Sequence, residues 1–263
     1  MVIEAAIREW HKIYPWQTNE MVEQDLIICR ALVALYNDEY MASHLAFRGG
    51  TCLHKLYIQP QQRYSEDIDL VQIKAEPIKE TIERIRQALL FLGKPVIKQN
   101  AHNNTLVFRF YSEIPPIIPL RLKVEINTRE HFNVLKLIQQ NFSVKNQWFS
   151  GSCNITTYYL EELLGSKLRA LYQRRKGRDL FDLYKALSTQ NVNIENLIRC
   201  YHEYIGFVVE NPPTQKEYLR NMELKMQDDE FLNDTNLLLR PDEKFNPQEA
   251  WELVKSKLIK FIK

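Results

Sequence analysis

Two adjacent glycines, Gly49 and Gly50, and two aspartates one residue apart, Asp67 and Asp69, set the terms for this 263-residue chain. Glycine turns without a Cβ clash and lets a backbone come close to a ligand. A helix opening there presents free N–H groups and the positive end of its dipole to a phosphate. The segment Asp-Ile-Asp-Leu-Val-Gln-Ile reads as a strand, whose side chains alternate between two faces. Asp67 and Asp69 therefore share one face, and Ile68 and Leu70 share the other. Paired hard oxygen ligands suit Mg²⁺, which completes its shell with water and substrate phosphates. A phosphate cradle followed by a metal-holding carboxylate pair is the equipment of nucleotidyl transfer.

The remaining pattern reads in order. Helices are predicted over 3–10 and 20–37, the second with Asn19 as N-cap, and an extended piece over 43–48 leads into the glycines. Pro77 opens a helix striped by Ile78, Ile82, Ile85, Leu89 and Leu92, which Gly93 and Pro95 stop. Strands are predicted over 96–99 and 105–111, and residues 114–119 form a loop. In residues 120–127, Leu120, Leu122, Val124 and Ile126 alternate with Arg121, Lys123, Glu125 and Asn127, a half-buried strand with a charged face. After residue 150 helical periodicity takes over, at 157–176, 179–188, 194–208 and 214–227. A final helix has Asn246 as N-cap, Pro247 at its first position and Glu249 completing a capping box. Its apolar face is Trp251, Val254, Leu258 and Phe261, and the polar segment 228–246 before it is the expected flexible loop.

Apolar content of 45% and charged content of 26% are those of a globular protein, and a formal charge of +2 leaves nucleic-acid contact to local patches. Cys29, Cys52, Cys153 and Cys200 are scattered and the six histidines show no ligand spacing, so neither a disulfide framework nor a zinc site is expected. The N-terminus lacks a signal-peptide pattern and no stretch is long and apolar enough for a bilayer, which points to the cytoplasm. No Walker-type or Ser-His-Asp motif is present.

Gly49-Gly50-Thr51, followed by Arg63-Tyr64-Ser65-Glu66-Asp67-Ile68-Asp69-Leu70, resembles the AbiEii/AbiGii toxin family of nucleotidyltransferases, within the DNA polymerase β-like superfamily. Lys123-x-Glu125 is similar to a second motif of that family. Residues 161–185 resemble a third, with Lys167, Arg174, Arg178, Asp179 and Asp182 at its marked positions. The resemblance implies an α+β fold: a polymerase β-like core with a small mixed sheet and flanking helices over 1–150, and a helical region over 151–263. It implies a toxin that moves a nucleoside monophosphate from a nucleoside triphosphate to an acceptor hydroxyl such as the 3′ end of tRNA, and a separately encoded antitoxin.

Asp67, Asp69 and Glu125 are then the expected ligands of two Mg²⁺ ions. Gly49, Gly50, Thr51, Arg63, Ser65, Lys167, Arg174 and Arg178 are the expected nucleotide contacts, with Asp179 in the active centre. From Lys167 to Arg178 the chain carries six basic residues and no acidic one, charge fit to neutralise a triphosphate and the leaving pyrophosphate. Each feature has an ordinary reading too. Glu125 can be the surface partner of Lys123, the glycines a plain turn, Thr51 a helix cap, and Asp179 the N-cap of the next helix. A small-molecule or protein acceptor, or a site that binds nucleotide or RNA without turnover, are the alternative functions.

Overall fold

The structure is a computed structural model and describes residues 2–262. Three helices lead in: α1 (Glu4–His11), α2 (Asn19–Tyr36) and α3 (Glu39–His44). Thr18, one residue before the expected Asn19, caps α2 by accepting a hydrogen bond from the Met21 amide. There follow β1 (Leu45–Arg48), α4 (Gly49–Leu56), β2 (Asp67–Gln72) and α5 (Lys79–Ala88). Five strands come next: β3 (Val96–Asn100), β4 (Asn103–Tyr111), β5 (Pro119–Asn127), β6 (Leu137–Lys145) and β7 (Ser150–Tyr158). The helical half comprises α6 (Leu160–Gln173), α7 (Gly177–Thr189), α8 (Ile194–Val208), α9 (Gln215–Lys225), α10 (Asp229–Asn233) and α11 (Pro247–Lys257).

All seven strands form one mixed sheet, in the order β3-β4-β5-β2-β1-β7-β6. β1 runs antiparallel to β2 and parallel to β7, and β2 runs parallel to β5. The fold is therefore the expected α+β arrangement. One face of the sheet, with Ile68, Leu70, Leu106, Phe108, Leu122, Val124 and Ile126, packs on the nearly wholly buried α2 in one hydrophobic cluster. A second cluster, built from α6, α7, α8, α9 and α11, takes over near Leu160 and reaches back only to Leu53 of α4 and Ile58.

Four expectations change. β6 and β7 carry few apolar residues, and β6 is an edge strand burying only Phe142 and Val144, so the alternation that marks a half-buried strand is faint. The helix predicted from residue 157 accordingly begins at Leu160, after β7. The segment 228–246 is anchored, not free. Asp228 caps α10, Phe231 is buried, and residues 238–240 run beside the loop before β2: the Tyr64 amide donates to the Leu238 carbonyl at 2.7 Å and the Arg240 amide to the Gln62 carbonyl at 3.2 Å. Asn246 caps α11 as expected, but Glu249 accepts from the Asn246 side-chain amide. The reciprocal capping box forms at α9 instead, between Thr214 and Glu217. Phe261 lies in a short 3-10 turn after α11 and is exposed, while Trp251, Val254 and Leu258 are buried.

Candidate active site

The glycine turn joins β1 directly to α4. Gly49 has φ +82°, and a Cβ placed on it would stand 2.1 Å from Asp69 Oδ2. Only glycine therefore lets the turn lie against the carboxylate. No side chain caps the start of α4, so its first amides are left for a ligand. The Thr51 hydroxyl donates to the Asp67 carbonyl and lies 2.8 Å from Ser65 Oγ. Thr51 and Ser65 thus tie the opening of α4 to the strand that bears the acids, and Thr51 is buried.

Asp67 and Asp69 alternate onto the face of β2 opposite the core, both half-buried. In the parallel pairing of β2 with β5, Asp67 lies beside Lys123 and Asp69 beside Glu125. Strand neighbours point the same way, so all three carboxylates share this face. Burial pushes the Asp67 carboxyl up to about 7, and the Asp69 charge adds to the shift. Burial raises Asp69 as well, against the opposing influence of Arg48, Lys167 and Arg174. Two carboxylates that resist ionising side by side are a fit donor set for a divalent cation, whose charge relieves both. Glu125 is ion-paired with Lys123, and among the described residues no three His, Cys, Asp or Glu side chains gather as a metal cluster. Mg²⁺ is commonly held by one or two carboxylates and substrate phosphates, so the aspartate pair satisfies that requirement without a third acid.

The basic motif forms a buried charge network. Lys167 Nζ lies 2.9 Å from both Asp179 Oδ1 and Asp182 Oδ2. Arg174 grips Asp179 through two contacts, of 2.6 and 2.8 Å. Asp182 also accepts a two-pronged pair from Arg63, at 2.7 and 2.8 Å, and a bond from His54 Nε2 at 2.9 Å. Burial alone would raise the Asp182 carboxyl, yet Arg63, Lys167 and His54 hold it well below the usual carboxylate range. Asp179 is likewise lowered in spite of burial, by Lys167 and Arg174. Burial pushes His54 down to about 4, so it is neutral at physiological pH.

The charges of Lys167 and Arg174 act on Asp69, each opposing the rise that burial imposes on its carboxyl. Arg63 does not open to the cleft. It is 1% exposed, and its guanidinium sits where a Cβ on Gly50 would be, 2.2 Å from Nη2. Arg178 also points elsewhere, forked onto Asp234 at 3.1 and 3.3 Å. Asp179 occupies the third position of α7 and is not its N-cap, which is Lys176.

A cleft of about 340 Å³, within the range of small-molecule sites, opens beside Asp69 and Glu125. Arg48, Asn127, Arg129, Glu130, Arg169 and Gln173 also line it. Glu130, between Arg48 and Arg169 (2.6 Å to the latter), braces its floor. Sequence reading missed this trio. Arg48 directly precedes the glycines and Arg169 belongs to the basic run, but Glu130 lies in irregular chain with no pattern to mark it.

Comparison with known proteins follows the same line. A family model described as nucleotidyl transferase AbiEii toxin, type IV TA system, matches residues 30–257. A search of curated proteins returned no match. Among solved structures, MenT4, a nucleotidyltransferase toxin from Mycobacterium tuberculosis H37Rv, superposes with a TM-score of 0.73 at 15% identity, covering 100% of this chain and 91% of that one. JHP933 from Helicobacter pylori superposes with a TM-score of 0.53 at 19% identity, covering 92% of each chain. At these identities the likeness is one of fold.

Proposed function

The chain belongs to the AbiEii family of nucleotidyltransferase toxins of type IV toxin–antitoxin systems, and from that premise we propose that it transfers a nucleoside monophosphate from a nucleoside triphosphate to an RNA hydroxyl, the 3′ end of tRNA in particular. As a nucleotidyltransferase toxin it implies a triphosphate substrate and a cognate antitoxin. Among the described residues no helix is long and apolar enough to cross a membrane, which suits action in the cytoplasm.

The observation that carries the reading is the register of β2 with β5, which sets Glu125 beside Asp69 over the Gly49 turn. In the proposed mechanism the first amides of α4 hold triphosphate oxygens. Asp67 and Asp69 would hold Mg²⁺, with Glu125 as a further donor once released from Lys123. When bound, the cation neutralises phosphate charge and lowers the pKa of a coordinated hydroxyl. Glu125, freed from Lys123, receives the hydroxyl proton as the acceptor oxygen attacks the α-phosphorus and pyrophosphate leaves.

Lys167 and Arg174 steady the charge on the departing pyrophosphate. Their network sets three cations, with Arg63, against Asp179 and Asp182, and so leaves one positive charge over. Asp179 and Asp182 hold Lys167 in place. Arg63 and Thr51 organise the loop and α4 without touching nucleotide.

The test is incubation with each α-labelled triphosphate, Mg²⁺ and total RNA, with small-molecule fractions in parallel. Label should enter RNA, vanish with chelator, and vanish in Asp67→Ala and Asp69→Ala proteins that keep the wild-type circular dichroism. Label confined to small molecules would replace the acceptor. Undiminished transfer by Asp67→Ala would remove the mechanism.

A further inference from the structure

The face of the sheet that bears the carboxylates does not end at them. Along β4 and β5 the even-numbered residues from 106 to 108 and from 122 to 126 are buried in the core, while the odd-numbered ones stay at least partly open over the whole pairing from Tyr111↔Pro119 to Asn103↔Asn127. β3 extends the same surface through Val96 and Lys98, paired with Val107 and Thr105. The result is an uncovered sheet face, continuous with Asp67 and Asp69 through Lys123 and Glu125.

Its chemistry is lopsided. Arg109 lies directly opposite Arg121 on adjacent antiparallel strands, both exposed. Like charges so paired repel and destabilise a sheet. Neither of them, nor Lys98, has an ion-pair partner among the described residues. Glu125, the acid of this face on β5, is already engaged by Lys123. Beyond the arginine pair, Tyr111 alternates onto the same face and is 67% exposed, a large aromatic surface that folding leaves wet. Uncompensated cations with an exposed ring on an open sheet match single-stranded nucleic acid, whose phosphates take the cations and whose bases stack on the ring. An apolar or acidic partner would satisfy one of these features and not the other.

We infer that the open face of β3, β4 and β5 is the acceptor track: a single-stranded RNA end lies across it, its phosphates on Arg121, Arg109 and Lys98 and a base on Tyr111, so that its terminal hydroxyl arrives at Asp67, Asp69 and Glu125. This rests on the reading that the acceptor is RNA, and it adds which surface holds the strand. The track, at the Arg109–Arg121 end, and the cleft, which takes in Asn127 at the other end, share one sheet face and meet at the carboxylates. Nucleotide binding and RNA binding are thus separable by mutation.

The experiment measures two things on the full chain. One is anisotropy of a short fluorescent single-stranded oligoribonucleotide across a salt series; the other is transfer of α-label to RNA at saturating triphosphate. Arg109→Glu/Arg121→Glu should weaken oligoribonucleotide binding by at least about tenfold and make the log–log salt dependence shallower by roughly 1.4, about 0.7 for each lost phosphate contact. It should raise the KM for RNA while triphosphate binding stays as in wild type. Arg109→Lys/Arg121→Lys should keep most of the binding. Tyr111→Ala, which changes no charge, should cost about tenfold in affinity with the salt slope unchanged.

Wild-type affinity and slope in both the glutamate and the Tyr111→Ala variants would overturn the track, as would failure of the wild-type protein to bind the oligoribonucleotide. The two proposals fail differently. If RNA is labelled as well by the glutamate variant as by wild type, the track falls and the acceptor reading stands. If RNA binds through Arg109 and Arg121 but label enters only a small molecule, the surface stands and the acceptor reading falls.

Discussion

At Gly49 one hydrogen holds a place that no other side chain can take. Alanine there would set its Cβ against Asp69 Oδ2 and force a φ of +82° on an L-residue. Gly49→Ala should cost about 1–3 kcal/mol of stability and, by moving the turn off the carboxylate, nearly all transfer. Denaturant melts and the labelled-transfer assay read the two effects. Asp182 is the opposite kind of residue, fully buried and accepting from Arg63, Lys167 and His54. Asp182→Asn leaves the buried Arg63 without its counter-charge and Lys167 with Asp179 alone, and should cost about 3–5 kcal/mol in a urea titration.

His54 sets a pH dependence. Its folded pKa, about 4, lies below the ordinary 6.5, so the unfolded chain binds the extra proton between those values. Stability from this group is therefore complete above pH 6.5 and is lost on acidification toward pH 4, by up to about 3 kcal/mol. His54→Gln should flatten that part of the profile measured by urea unfolding at a series of pH values.

Legibility at the scale of elements follows local pattern. The Asp-x-Asp strand, the alternating strand over residues 120–127 and the capped final helix were readable because period and cap chemistry are written in neighbouring residues. β6 and β7 were not, since their place in the sheet comes from pairing with distant chain and not from an apolar alternation of their own. The same divide runs through the site. Asp67, Asp69, Glu125 and Lys167 come to one region from motifs a reader can see, whereas the fates of Arg63 and Arg178 were set by Asp182 and Asp234, far along the chain. A basic residue in a motif announces its charge; which acid claims it is decided by tertiary structure.

Packing between elements also bears on Lys167. Two residues before it, a Cβ on Gly165 of α6 would meet Cys200 Cβ of α8 at 2.7 Å and the Tyr201 amide nitrogen at 2.9 Å. Gly165→Ala should thus push α6 from α8, at a cost of about 1–3 kcal/mol. Because Lys167 rides on α6, kcat should fall more than the KM for triphosphate changes.

Across the whole molecule, the two hydrophobic clusters are stitched by charge: Arg63, in the loop before β2, and His54, on α4, meet Asp182 of α7, with Lys167 of α6 at the same carboxylate. A ligand held between sheet and helices should stabilise both sides at once. Triphosphate with Mg²⁺ at about a hundred times its dissociation constant is expected to add about 2.7 kcal/mol. The resulting rise in melting temperature should disappear in the Asp67→Ala/Asp69→Ala protein.

The backbone bonds between Tyr64 and Leu238, and between Gln62 and Arg240, have a temporal consequence as well. The segment leading into the acidic strand leans on chain synthesised well after it. A nascent polypeptide that has not yet reached residues 238–240 cannot complete that support.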